Sequence, residues 1–149
     1  MPKIMTLSTS EVNWDDPIFG SLQYAYDNFE AWTNKVSIDS TRKAYVILNS
    51  QQEYAAVVIT KPQENDSYGF NMPVAKISTF KVSEHYAGRG YGTRLLETVT
   101  RDLRDLGAAT TYIEVSPKHR KLISFLKDNS FIMTEHFNGH GDSILARFS

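Results

Sequence analysis

Three of the eight glycines fall within five residues, Gly88-Arg89-Gly90-Tyr91-Gly92. Glycine adopts backbone conformations closed to other residues, so such a run lets successive N–H groups turn toward one point. The helix periodicity that follows adds the positive end of a helix dipole at the same place. The chemistry this suits is the holding of a phosphate or pyrophosphate, with Arg89 and Arg94 able to add charge-assisted contacts. The bland alternative is a tight β-to-α turn, which rarely needs three alternating glycines. Two familiar phosphate loops fail on spacing. A Walker loop needs lysine after its last glycine, and a dinucleotide fingerprint needs glycine at position 93; Thr93 stands there instead.

Other chemistry is sparse. With no cysteine, thiolate zinc sites, iron–sulfur clusters, disulfides and cysteine nucleophiles are excluded. His136 and His140 are four residues apart, but Asn138-Gly139 between them predicts a hairpin turn, so no metal pair is expected. Asp15-Asp16-Pro17 reads as a helix start, an acidic cap followed by proline. Phe19, Tyr26, Phe29 and Trp32 read as a core stripe. Lys118, His119, Arg120 and Lys121 suit either an adenosine phosphate or a solvated helical turn.

The elements that position these residues follow from periodicity. Residues 3–7 suit a short strand. Phe19, Leu22, Tyr26, Phe29, Trp32 and Val36 repeat at helical spacing, and Asp27-Asn28 splits that stretch into two helices. Lys43–Leu48 and Tyr54–Thr60 are strands joined by a turn, Pro62–Pro73 is a loop, and Val74–Val82 is a further strand. A strongly amphipathic helix runs from about Tyr91 to Leu106, its apolar stripe formed by Leu95, Leu96, Val99, Leu103 and Leu106, with Gly107 as C-cap. Thr110–Val115 is a strand. Ser116-Pro117 caps another helix, and Phe131–Phe137 with Ser143–Phe148 closes the chain as a hairpin around Asn138-Gly139. The order is β-αα-βββ-α-β-α-ββ, an α+β chain rather than strictly alternating βαβ units.

Composition agrees. A chain of 149 residues, 41% hydrophobic and 22% charged, fits one globular domain over 1–149. A net charge of −1 gives no general attraction to nucleic acid or an anionic membrane. No stretch approaches about eighteen consecutive apolar residues, and the first ten lack a signal-peptide pattern, so a cytoplasmic protein is expected.

The stretch Val82-Ser83-Glu84-His85-Tyr86-Ala87-Gly88-Arg89-Gly90-Tyr91-Gly92-Thr93-Arg94 resembles the pyrophosphate loop of the GNAT superfamily, the acetyl-coenzyme A-dependent N-acetyltransferases. A second family pattern, Glu-Val followed by Asn, Ala, Phe-Tyr and Gly-Phe at set spacings, has a counterpart in Glu114-Val115, His119, Leu122, Phe125-Leu126 and Ser130-Phe131. The likeness is closest over residues 74–131 and weakest in the N-terminal third. It implies a central, mixed, mostly antiparallel twisted sheet of about seven strands flanked by about four helices. It also implies acetyl-coenzyme A as co-substrate and no metal.

By that likeness, Phe80, Lys81 and Val82 pair through their backbone with the pantetheine arm. The amides of Ala87, Gly88, Arg89, Gly90, Tyr91, Gly92 and Thr93 hold the pyrophosphate, and His119 lies beside the cofactor in place of an asparagine. Glu114 takes the position of the catalytic base, a solvated strand glutamate being the alternative. Ala87 replaces the usual arginine or glutamine. Lys76 stands near the strand-four acid of other members, Leu126 replaces the usual general-acid tyrosine, and Ser130 replaces a glycine. Water, Ser116, Tyr112 or His119 would then relay the proton. The acceptor is expected to be a primary amine, cationic if Asp27, Glu30, His140 and Asp142 line its groove. A homodimer is compatible with the reading. Two alternatives stay open: a non-catalytic acyl-coenzyme A-binding module, and one domain of a longer polypeptide.

Overall fold

The computed structural model describes residues 3–20, 28–65 and 68–148. Its strands are β1 (Ile4–Ser8), β2 (Lys43–Leu48), β3 (Tyr54–Glu64), β4 (Val74–Val82), β5 (Thr110–Val115), β6 (Ile132–Phe137) and β7 (Ser143–Phe148). The α-helices among the described residues are α1 (Phe29–Ile38), α2 (Tyr91–Asp105) and α3 (Arg120–Asp128). The strand order is β1-β2-β3-β4-β5-β7-β6, a seven-stranded mixed sheet in an α+β fold. Of the pairings described, β4–β5 is parallel, while β1–β2, β2–β3, β5–β7 and β6–β7 are antiparallel. The chain forms two compact units, residues 1–60 with 79–99 and residues 61–78 with 100–149; β3 and β4 contribute to both.

In the first unit, Val46, Val57 and Ile59 from the paired strands pack with Val12, Ile18, Phe19 and Val36. Among the described residues of the expected aromatic stripe, Phe19 is core, and Phe29 and Trp32 pack against it, partly buried. Phe19 is fully buried, its ring 5.1 Å from Trp14 and 6.2 Å from Tyr54, and Trp14 meets Trp32 edge-on at 5.6 Å. Burying a side chain such as Phe19 contributes about 1.5–3 kcal/mol. Asp16 earns its burial by two hydrogen bonds: Oδ1 accepts from Ile18 N–H at 2.9 Å, capping the 3-10 turn Pro17–Phe19, and Oδ2 accepts from Tyr54 N–H at 2.8 Å. The first helix expected from the sequence falls largely on residues 21–27, outside the described residues, as do Leu22, Tyr26 and Asp27. The second starts at Phe29, directly after Asn28.

In the second unit, Val74, Tyr112, Ile144 and Ala146 form a buried cluster with Tyr68 and Phe70 packed against it. Helix α2 is divided between the units, and Leu95, Leu96, Val99 and Leu103 are all fully buried as the period predicts. Leu106 is not: it is 55% exposed, because the helix has ended and Gly107, at φ +103°, turns the chain away. Gly107 N–H reaches Arg104 C=O at 2.9 Å and Ala108 N–H reaches Leu103 C=O at 3.0 Å, the paired bonds of a Schellman cap.

Three further boundaries differ from the sequence reading. Strand β3 passes through Pro62 to Glu64 instead of ending at Thr60. The β2 register ends at Lys43↔Thr60, so proline beyond it forfeits no bond to β2. Helix α3 starts at Arg120, not at Pro117, because Ser116 C=O takes the His119 N–H at 2.9 Å in a preceding turn. The last hairpin turns over Asn138–Asp142 rather than the dipeptide Asn138-Gly139. Asn138 N–H donates to Asp142 C=O at 3.1 Å, and Gly141 supplies the left-handed residue at φ +81°.

Candidate functional site

The glycine run forms the junction between β4 and α2. After β4, Ser83–Ala87 make a 3-10 turn, and Ser83 N–H ties it to Ala55 C=O at 2.8 Å. Gly88 and Gly90 then sit at φ +78° and +81°, and a Cβ at either would meet nothing within 4 Å. Their glycine identity is therefore a backbone requirement, not a packing one. The Ala87 N–H is taken by Glu84 C=O at 3.4 Å, and the first helical bond of α2 runs from Arg94 N–H to Gly90 C=O at 3.0 Å. Between these two, the six amides of Gly88, Arg89, Gly90, Tyr91, Gly92 and Thr93 have no acceptor among the described residues. They open the fifteen-residue helix α2, whose dipole favours an anion at this end.

Side chains reinforce the loop. The Arg89 guanidinium lies 5.1 Å from the centre of the Tyr86 ring, which is 5.9 Å from the Tyr91 ring. Arg94, in the first turn of α2, carries a buried Nη1 with no hydrogen-bond partner. A buried guanidinium donor costs free energy unless something accepts from it. Six open amides, an orphaned cationic donor and two glycines with free space beside them fit an anionic diphosphate such as that of coenzyme A. Beside the loop lies a cavity of about 850 Å³ within the first unit, bordered by Lys81, Val82, Ser83, Tyr86 and Arg89 and by Asp16, Glu53 and Tyr54. Partial burial pulls the Lys81 ammonium below its usual range, and the nearby Glu84 carboxylate opposes that shift. Strand β4 continues to Val82, whereas its register with β5 ends at Ile77↔Ile113.

A separate polar cluster occupies the second unit, around Glu114 of β5. Lys76 pairs in register with Tyr112, and Glu114 follows two residues later on the same face. Lys76 Nζ lies 3.1 Å from Glu114 Oε1 and 5.9 Å from the centre of the Tyr112 ring. Asn138 Nδ2 donates to Glu114 Oε2 at 2.7 Å and to Asp142 Oδ2 at 3.0 Å. Asn138 Oδ1 accepts from the His140 and Asp142 amides, both at 2.9 Å. One asparagine thus closes the β6–β7 turn and pins the Glu114 carboxylate. His119 is exposed at the start of α3, its side chain making no capping bond. Leu126, in the position of the family tyrosine, is fully buried and has no proton to give. Glu30 is exposed in the first turn of α1.

In the sequence alone, Asn138 reads only as a turn residue and Lys76 only as a missing acid. The signal for Lys76 was a lysine and a glutamate diagonal to each other on adjacent strands, readable once β4 and β5 are paired. Nothing local in the sequence marks Asn138 as a partner of Glu114, 24 residues away.

A search of curated proteins finds no match. Among solved structures, a GNAT-family acetyltransferase from Staphylococcus aureus Mu50 superposes with a TM-score of 0.75 at 13% identity, covering 98% of this chain and 99% of that one. A Bacillus subtilis acetyltransferase in complex with CoA gives 0.72 at 15% identity, covering 100% and 99%. The PaiA N-acetyltransferase of Thermoplasma acidophilum, in complex with coenzyme A, gives 0.69 at 13% identity, covering 100% and 99%. At these identities the likeness establishes the fold. Residues 7–131 match the family model described as the acetyltransferase (GNAT) family, and the chain belongs to that family.

Proposed function

We propose that this protein is an N-acetyltransferase that moves acetyl from acetyl-coenzyme A to a primary amine. The observation that carries the reading is the run of six open amides from Gly88 to Thr93 at the head of α2. They hold the pyrophosphate, joined by Arg94, while the β4 backbone at Phe80, Lys81 and Val82 pairs with the pantetheine arm. Two of the structural relatives carry coenzyme A, which supports the same assignment.

The thioester supplies an activated acetyl group; the protein must supply an unprotonated amine and a way for the thiolate to leave. Glu114 is the base that takes the acceptor's proton. Its carboxylate is held at Oε2 by Asn138, which fixes the direction of Oε1. With leucine at 126, that position has no proton to give to the leaving group. A thiol with a pKa of about 8.5 leaves tolerably as thiolate, so water or a polar side chain such as Ser116, Tyr112 or His119 suffices as relay. Asp142, joined to Glu114 through Asn138, favours a cationic acceptor. His119 is the residue proposed to lie along the cofactor from the α3 side.

The experiment is coenzyme A release across a panel of amines (polyamines, aminoglycosides, lysine and peptide N-termini), run beside calorimetric titration with coenzyme A. Turnover with at least one amine, falling about 10²–10⁴-fold in Glu114→Gln, supports the enzyme. A second reading, a non-catalytic acyl-coenzyme A-binding module, is favoured by two observations: Leu126 is buried and apolar, and both Glu114 oxygens already have partners. Tight coenzyme A binding without turnover on any amine supports that module.

A further inference from the structure

We propose that Lys76 is an acetyl acceptor within the protein itself, modified by the chain's own acyl-transfer chemistry. The inference rests on the reading of Glu114 as the base. An acceptor amine must present its ammonium to that carboxylate, and among the described residues Lys76 is the cation that does so, Nζ to Oε1 at 3.1 Å. The other ion pairs described, Arg42–Asp39 and Lys61–Glu64, join residues three apart in the chain, whereas this one joins neighbouring strands. Both side chains stay partly open to solvent, at 22% and 26% exposure, so the pair adds little to stability and a reactant can approach. Asn138, locked by Asp142, holds the second oxygen and leaves Oε1 facing the lysine. The Tyr112 ring borders Nζ on the same sheet face.

The step balances with acetyl-coenzyme A as the acyl donor. Glu114 takes one proton from the Lys76 ammonium, and the freed lone pair forms a C–N bond to the thioester carbonyl carbon. The C–S bond breaks with its electron pair on sulfur. The second nitrogen proton goes to the thiolate, and Glu114 returns its own to solvent. Acetyl-lysine, free coenzyme A thiol and one proton result, and the uncharged amide releases Oε1 from its ion pair.

The test incubates the full chain with isotopically labelled acetyl-coenzyme A and follows each lysine by peptide mapping. Lys118, Lys121 and Lys127, exposed in the same molecule, report acetylation that needs no base. Lys76 is expected to label at least about tenfold faster than these three. Glu114→Gln should slow it by about 100-fold or more while the references keep their rates. Lys76→Arg should abolish that label and keep calorimetric coenzyme A binding. Labelling of Lys76 no faster than the references overturns the inference without any variant, as does a rate indifferent to Glu114→Gln in a folded protein. If coenzyme A binds and an external amine is turned over while Lys76 stays unlabelled, this inference falls and the proposed function stands. If coenzyme A does not bind, both fall.

Discussion

Replacing Gly88 and Gly90 together by alanine isolates what the loop's backbone does. Both residues occupy the left-handed region, at φ +78° and +81°, and a Cβ at either would contact nothing within 4 Å. Packing therefore drops out, leaving the conformational cost for an L-residue of about 1–2 kcal/mol at each position. In the free protein the exposed stretch Gly88–Gly90 can relax, since its amides have no acceptor among the described residues to hold them. Coenzyme A, which needs those amides converging, then bears the whole cost. Together the two alanines amount to about 2–4 kcal/mol, a roughly 30- to 900-fold rise in Kd. Calorimetric titration gives the affinity and thermal unfolding of the free protein gives Tm, which should hardly move. Gly20→Ala is the control: that residue is right-handed (φ −56°, ψ −42°) with no Cβ contact, and the change should leave affinity alone. A double variant that loses Tm by the full strain while keeping its Kd would refute the argument, because the loop would then be rigid without its ligand.

Arg94→Met removes a guanidinium whose buried Nη1 has no partner, so free-protein stability should not fall. Coenzyme A affinity should drop about 10- to 160-fold, the worth of a charge-assisted bond of about 1.5–3 kcal/mol; calorimetry and thermal unfolding together check both signs. Ser130 ends α3 in a Schellman cap, with Phe131 N–H on Leu126 C=O at 3.0 Å, but does so at φ +73° where Gly107 does the same job for α2. Ser130→Gly relieves left-handed strain of about 1–2 kcal/mol, partly offset by about 0.4–1 kcal/mol of glycine entropy; the mid-range net of about 0.8 kcal/mol should show in thermal unfolding as a Tm raised by about 2–3 °C. Asp39 is held at a pKa of about 2, below its usual 3.8, mainly by the Thr41 hydroxyl and amide, against burial and with help from Arg42. A depressed folded-state pKa means stability present above about pH 4 and lost as pH falls toward 2. Denaturant unfolding at stepped pH should show that loss in the native chain and a flatter profile in Asp39→Asn.

What the sequence revealed and what it withheld divide along the range of the interactions. Strands β2, β4 and β5 were legible end to end, because buried strands need runs of β-branched and aromatic residues, and those runs are local. The α2 stripe was legible for the same reason: Leu95, Leu96, Val99 and Leu103 repeat within one helix. The glycine run announced its backbone freedom directly, and Ser130 in a position that the family fills with glycine proves to be left-handed. Errors arose where a distant partner decides. Pro62 looked like a strand break until the β2 register showed no bond to lose there. The hairpin looked like a two-residue Asn138-Gly139 turn, yet Asn138 is needed intact to bond Asp142 and Glu114 at once. The Lys76–Glu114 pair required knowing that β4 and β5 are parallel neighbours. Local propensity carries none of that information.

The most direct measurement of the central claim is a titration of ¹⁵N-labelled protein with coenzyme A, watched at the backbone amides. Convergence on the pyrophosphate predicts large, saturating shifts for Gly88 through Thr93, with the Arg94 side-chain resonance moving on the same binding curve. Shifts confined to other regions, with those six amides unmoved at saturation, would contradict the account.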